Sequence, residues 1–236
     1  MLELLHYNYL TINEFLRSYL IMTKIFLEVD TMFFLPGPIG QLEVMTAPAI
    51  IGQPTKAIAI ICHPHPLFGG TMHNKVVTTL SRAFQNLGLC TVRFNFRGVG
   101  KSTGSYAEGI GEMEDLLAII QWVESENAGV AIWLAGFSFG AYIAARMATQ
   151  WAASQLILVA PPVVHFPMAE LPPFHSPCLV LQGEQDEIVS PLAVYEWVDS
   201  RQPKPTIIHF PNTTHFFHNH LTELRKTLEG VFLSFP

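Results

Sequence analysis

Residues 129–150 read Gly-Val-Ala-Ile-Trp-Leu-Ala-Gly-Phe-Ser-Phe-Gly-Ala-Tyr-Ile-Ala-Ala-Arg-Met-Ala-Thr-Gln, and no other stretch limits the fold as strongly. Val130–Ala135 is an apolar run without alternation, which fits a strand buried on both faces. From Ala141 the chain is rich in Ala and carries a helical pattern. Between them lies Gly136-Phe137-Ser138-Phe139-Gly140. A strand that passes straight into a helix strains the backbone of the residue at the bend. Glycines on either side fit because side chains there would collide with the neighbouring strand and helix. The Ser138 hydroxyl is left at the tip of the turn, at a helix N-terminus whose N–H groups favour developing negative charge. The same five residues also describe a plain turn with a capping serine. Partner residues elsewhere in the chain decide between the two.

Around this centre, strands and helices alternate. The pattern predicts strands at Ala57–Cys62, Cys90–Phe94, Leu156–Val159, Cys178–Leu181 and Thr206–Phe210. It predicts helices at Lys75–Leu87, Glu112–Ser125, Pro191–Ser200 and His218–Leu233. Most of the strands are continuous apolar runs, which indicates a mainly parallel sheet covered by helices on both faces. Ahead of them, strand-like pieces near Lys24–Phe34 and Leu42–Thr46 flank Pro36-Gly37-Pro38-Ile39-Gly40, read as the turn of an antiparallel entry to the sheet. Residues 1–21 carry Leu2, Leu5, Tyr9, Ile12, Leu16 and Tyr19 at helical spacing and are expected to be an appendage. One α/β domain is then expected over residues 22–236. Only Ala160–Ser176, rich in Pro and aromatic residues, reads as an inserted loop, and it is short for a lid.

Composition narrows the function classes. Hydrophobic residues make up 50% of the 236 and charged residues 14%, so a large core is expected and disorder is not. A net charge of −6 with no basic run gives no footprint for nucleic acid or an anionic membrane. No apolar stretch reaches the ~18 residues of a membrane span. Cys62, Cys90 and Cys178 are far apart, each in or beside an apolar run, and are read as buried free thiols of a reducing cytoplasm.

Ligands of open α/β sheets sit at the carboxyl ends of the strands, and the polar residues of interest fall there. After Leu181 comes Gln182-Gly183-Glu184-Gln185-Asp186-Glu187, and after Phe210 comes Pro211-Asn212-Thr213-Thr214-His215-Phe216-Phe217-His218. A serine hydroxyl is a poor nucleophile until an imidazole takes its proton, and a carboxylate on the other ring nitrogen fixes the tautomer. Ser138, Asp186 and His215 are the candidates, in the chain order serine, acid, histidine. Glu184 and Glu187 compete with Asp186, and His218 and His220 with His215.

An oxyanion site needs two N–H donors aimed at one point. Phe139 is expected to supply one, and the loop His63-Pro64-His65-Pro66-Leu67-Phe68-Gly69-Gly70 the other. Proline has no N–H, which leaves His65 or Leu67, with His65 favoured. A metal pair at His63 and His65 lacks further ligands nearby, so no metal is expected. Gly100-Lys101-Ser102 imitates a phosphate loop, but its first glycine would fall at position 95, which is Asn. That segment is read as a turn beside the site, with Arg97 holding a loop. Phe68, Phe216 and Phe217, with the Phe, Pro and Met residues of 160–176, are candidate substrate contacts.

On these motifs the chain from about residue 24 onward resembles the α/β-hydrolase superfamily. The carriers are Gly-Phe-Ser-Phe-Gly, Gly-Glu-Gln-Asp, Thr-Thr-His-Phe-Phe and Arg-Gly-Val-Gly-Lys-Ser. His-Pro-His-Pro-Leu-Phe-Gly-Gly-Thr-Met looks like a group of small, nearly lidless bacterial serine hydrolases related to dienelactone hydrolase and prolyl-oligopeptidase-type domains. The resemblance implies an eight-stranded sheet and the triad Ser138, Asp186 and His215. The resemblance fixes no substrate; taken with the residues, the expectation is a cytoplasmic serine hydrolase of small esters or thioesters with no metal or organic cofactor, no nucleic-acid partner and no membrane span. The alternatives are an acyltransferase or peptidase on the same triad, or a fold that binds a ligand or partner without catalysis.

Overall fold

The computed structural model describes residues 30–50 and 57–233. The predicted appendage at 1–21, and the start of the domain at residue 22, lie outside the described residues.

Eight strands form one sheet: β1 (Thr31–Gly37), β2 (Gly40–Ala47), β3 (Ala57–Cys62), β4 (Cys90–Phe94), β5 (Ala131–Phe137), β6 (Gln155–Val159), β7 (Cys178–Gly183) and β8 (Thr206–Phe210). Their order across the sheet is β1-β2-β4-β3-β5-β6-β7-β8. The β1–β2 and β2–β4 pairs are antiparallel and all the others parallel. Among the described residues five helices cover it: α1 (Lys75–Asn86), α2 (Ile110–Glu126), α3 (Phe139–Ala148), α4 (Pro191–Ser200) and α5 (Leu221–Leu233).

The apolar runs divide by the two-residue strand period into two cores, one on each face. Ile58, Ile60 and Cys62 of β3, with Leu156 and Leu158 of β6, face α2, α3 and α4. Ala57, Ala59 and Ile61, with Ile157 and Val159, face α1 and α5. A strand with helices on both sides must be apolar at every position, and β3 accordingly has all six residues buried.

Two boundaries differ from the sequence reading. Strand β1 runs through Pro36 to Gly37, and the turn is only Pro38-Ile39, between the paired Gly37 and Gly40. Proline is tolerated there because β1 is an edge strand, where a missing N–H costs no ladder bond. The last helix begins at Leu221, so His218 and His220 belong to the preceding turn.

The inserted loop is tied down. Trp197 Nε1 of α4 donates to the Met168 carbonyl at 3.1 Å, and Arg201 donates to the carbonyls of Leu171 and Pro172. Met168 and Phe174 are buried in the core beneath it.

Candidate active site

Ser138 stands between β5 and α3 at φ 53° and ψ −120°, a conformation that costs free energy in any residue with a Cβ. Its flanks explain how the turn is made. A Cβ at Gly136 would run into the backbone of Gly140, and one at Gly140 into the carbonyls of Cys62 and His63. Both positions are therefore closed to any larger residue, and the loop after β3 is pressed against the start of α3. The Ser138 N–H is held by the Val159 carbonyl of β6 at 2.9 Å.

The structure brings Ser138, His215 and Asp186 together from three separate strand ends. His215 Nε2 lies 3.0 Å from Ser138 Oγ, and His215 Nδ1 lies 2.8 Å from Asp186 Oδ2. An ionised carboxylate only accepts, so the Nδ1–H donates to Asp186 and Nε2 is left to accept the serine proton. Asp186 Oδ1 takes the N–H groups of Ile188 at 2.9 Å and Val189 at 2.7 Å. Burial pushes the Asp186 carboxyl up, but the hydrogen bond and charge of His215 and these two N–H groups outweigh it and hold the group below its ordinary value. Two of the competing candidates are engaged elsewhere. Glu184 lies 3.8 Å from His209, and His220 pairs with Glu223 at 2.8 Å.

Gln182, which the sequence did not single out, and Glu187, read there only as a rival of Asp186, complete the surroundings of these three residues. Gln182 Nε2 donates to Asp186 Oδ2 at 3.0 Å, and Glu187 Oε2 accepts the backbone N–H of His215 at 3.1 Å. A polar residue closing a buried apolar strand was the available signal for Gln182. Nothing in the sequence separates Glu187 from its acidic neighbours.

Of the two loop donors considered, Leu67 is taken: its N–H donates to His65 Nδ1 at 3.2 Å, inside the short 3-10 turn Pro66–Phe68. The N–H groups of His65 and Phe139 donate to no described protein group, and their rings are 5.0 Å apart. Both ring nitrogens of His63 are occupied. Nδ1–H donates to the Pro64 carbonyl at 2.6 Å, and Nε2 accepts the Phe96 N–H at 3.0 Å, which leaves no lone pair for a metal.

The phosphate-loop imitation is a structural turn. Glu43 accepts from Asn95 Nδ2 at 2.8 Å and from the Lys101 N–H at 2.9 Å, while Ser102 Oγ donates to the Asn95 carbonyl at 2.7 Å. Arg97 anchors the same loop to Asp115 of α2 at 2.8 Å.

A cavity of about 380 Å³ opens beside Ser138, lined by Phe68, Phe139, Pro162, Phe166 and Ile188 with the rings of His65 and His165. Phe68 is thus at its wall, and so are Pro162 and Phe166 of the inserted loop. Phe217 is not. It is fully buried in the core behind α5 with its ring 5.2 Å from Phe210, because its backbone, at φ 53°, turns the side chain inward. Phe216 stands perpendicular to the His215 ring at 5.1 Å and is not among the described residues lining this cavity.

Sheet order, the strained serine and the three converging side chains define an α/β hydrolase of the serine type. A family model described as serine aminopeptidase, S33, matches residues 53–175, and the chain belongs to this family. It is 34% identical over 218 residues to an uncharacterized protein of Rickettsia prowazekii, covering 84% of this chain and 87% of that one. Among solved structures, an alpha-beta serine hydrolase homologue from Coxiella burnetii is 49% identical with a TM-score of 0.84, over 87% of this chain and 98% of that one. A serine hydrolase without lid from Xanthomonas campestris is 42% identical with a TM-score of 0.83, over 86% and 93%.

Proposed function

We propose that the protein hydrolyses small, neutral, apolar esters or thioesters through an acyl-enzyme on Ser138. The observation that carries this is the unbroken chain of contacts from Ser138 Oγ through His215 to Asp186. In the reaction, His215 Nε2 takes the serine proton as Oγ attacks the carbonyl carbon. The N–H groups of Phe139 and His65 receive the oxyanion, at a helix N-terminus that favours the negative charge. His215 then gives its proton to the leaving oxygen or sulfur and in the second half activates a water that releases the acid. Every step is supplied by side chains and backbone of this chain.

The cavity carries the substrate reading. The departing group must be protonated by His215 and therefore leaves on the histidine's side of Ser138. Ser138 is among the described residues lining the cavity and His215 is not, which supports placing the acyl half there. Its walls are aromatic or aliphatic apart from two imidazoles, and no carboxylate is among the described lining residues. That favours an ester over a peptide with a free N-terminal amine, since a buried ammonium needs a paired charge. We place the chain with the small bacterial hydrolases related to dienelactone hydrolase on its His-Pro-His-Pro loop, and in the cytoplasm on its three free cysteines.

The test is pre-steady-state hydrolysis of p-nitrophenyl butyrate. A burst approaching one p-nitrophenolate per chain, absent in Ser138→Ala, supports the acyl-enzyme. Turnover of an aminoacyl p-nitroanilide with none of the ester would instead favour the peptidase.

A further inference from the structure

Gln182 is the last polar residue of β7, and its side chain is fully buried. Nε2 donates to Asp186 Oδ2 at 3.0 Å and to the Gly183 carbonyl at 3.1 Å. Oε1 has no partner. Turning the amide over would set its oxygen against two acceptors, so the donating orientation is the one the surroundings permit. An unbranched apolar side chain would fill the same space without stranding a buried acceptor. As a stabilising device the amide is therefore a poor choice. What it adds is a second donor on the oxygen that His215 uses, while Oδ1 is held by Ile188 and Val189.

We propose that Gln182 is a positioning residue for hydrolysis, its amide fixing the Asp186 carboxylate and drawing negative charge off the oxygen that faces His215. This rests on the triad reading above. Two consequences follow from the geometry. Without the amide, the protein holds only Oδ1 of the carboxylate from outside the pair, Oδ2 is left with His215 alone, and the imidazole is oriented less firmly. The unshared charge on Oδ2 also holds the imidazolium more tightly, so the histidine gives up its proton at higher pH. Other charged or titratable groups near this pair are Glu187 on the His215 backbone, His218 beyond the Phe216 ring, and Glu184 with His209 at the end of β8. None of them touches the Gln182 amide, and all stay in place when it is replaced.

The test compares Gln182→Met with the unaltered chain, following kcat and KM for p-nitrophenyl butyrate from about pH 5 to 9 alongside thermal unfolding. The expected result is a plateau kcat lower by roughly 3- to 30-fold at nearly constant KM, since orientation errors are felt in the transition state. The acid limb of kcat/KM is expected to move up by about half to one pH unit, with Tm unchanged or raised. An acid limb that stays in place overturns the proposal. So does a marked loss of Tm or failure to fold, because either assigns the amide to the architecture. Ser138→Ala separates the two readings. If it still turns over ester, the triad itself has failed; if it is inactive while Gln182→Met titrates like the unaltered chain, only the role of Gln182 has.

Discussion

His63 Nε2 accepts the backbone N–H of Phe96 across 3.0 Å, tying the loop after β3 to the loop after β4. The bond requires a neutral ring, and the ring is fully buried. Burial, aided by the nearby His65 and only partly opposed by the bond to the Pro64 carbonyl, pushes His63 down to about 4.

The unfolded chain takes up a proton at this position below about pH 6.5, where the folded one does not. Stability from His63 is therefore complete above that pH and drains away as pH falls toward the folded value. The whole effect is on the order of 3 kcal/mol. Urea unfolding at a series of pH values between these limits should show the loss, and His63→Asn should remove most of the slope. Equal slopes in the two proteins would contradict it.

Arg97 and Asp115 meet at 2.8 Å with side chains 6% and 0% exposed. Removing the carboxylate leaves Arg97 with only Glu114, which is largely in water. Asp115→Ala should cost about 3–5 kcal/mol in urea unfolding, the usual result of breaking a buried pair from one side. A loss below ~1 kcal/mol would mean that the pair is screened like a surface bridge.

The oxyanion assignment is tested by separating the ring of His65 from its N–H. Its φ of −53° is one that proline accepts. His65→Ala keeps the donor and should leave kcat within about tenfold, whereas His65→Pro should lower it by about 10²–10³-fold. Steady-state kinetics on one ester, with circular dichroism to verify the fold, decides it. Equal losses in the two variants would move the donor elsewhere.

Phe166, which lines the cavity proposed for the acyl group, stacks on Tyr142 at 4.7 Å and meets Phe139 at 5.4 Å. Phe166→Ala should raise kcat/KM for p-nitrophenyl octanoate over acetate by about tenfold, the scale of a few methylenes in an apolar pocket. Preference among alcohols should not move. A change confined to the alcohol series would place the acyl group on the other side of Ser138.

Much of this architecture was legible because burial on both faces leaves a plain mark. Ala57–Cys62 has no polar position to hide its strand. The glycines of the turn announce the close approach that Gly140 makes to Cys62 and His63. Pro36 misled because a proline reads as a turn unless the strand is known to be at an edge. Phe216 and Phe217 are chemically identical neighbours, and only the positive φ of the second sends it into the core. Sequence favoured His65 over Leu67 without a deciding reason, because the hydrogen bond from the Leu67 N–H to the His65 ring depends on how the loop folds. Gln182 escaped notice because what it does depends on a partner four residues away across a turn.

The proposed mechanism turns on the Ser138 hydroxyl as nucleophile. Acid-quenching the reaction with a slowly hydrolysed aryl ester and mapping the modified peptide by mass spectrometry should find one acyl group, on Ser138. His215→Ala, with the serine intact, should accumulate it slower by about 10⁴-fold or more. Acylation of another residue, or acylation at the full rate without the imidazole, would contradict the account.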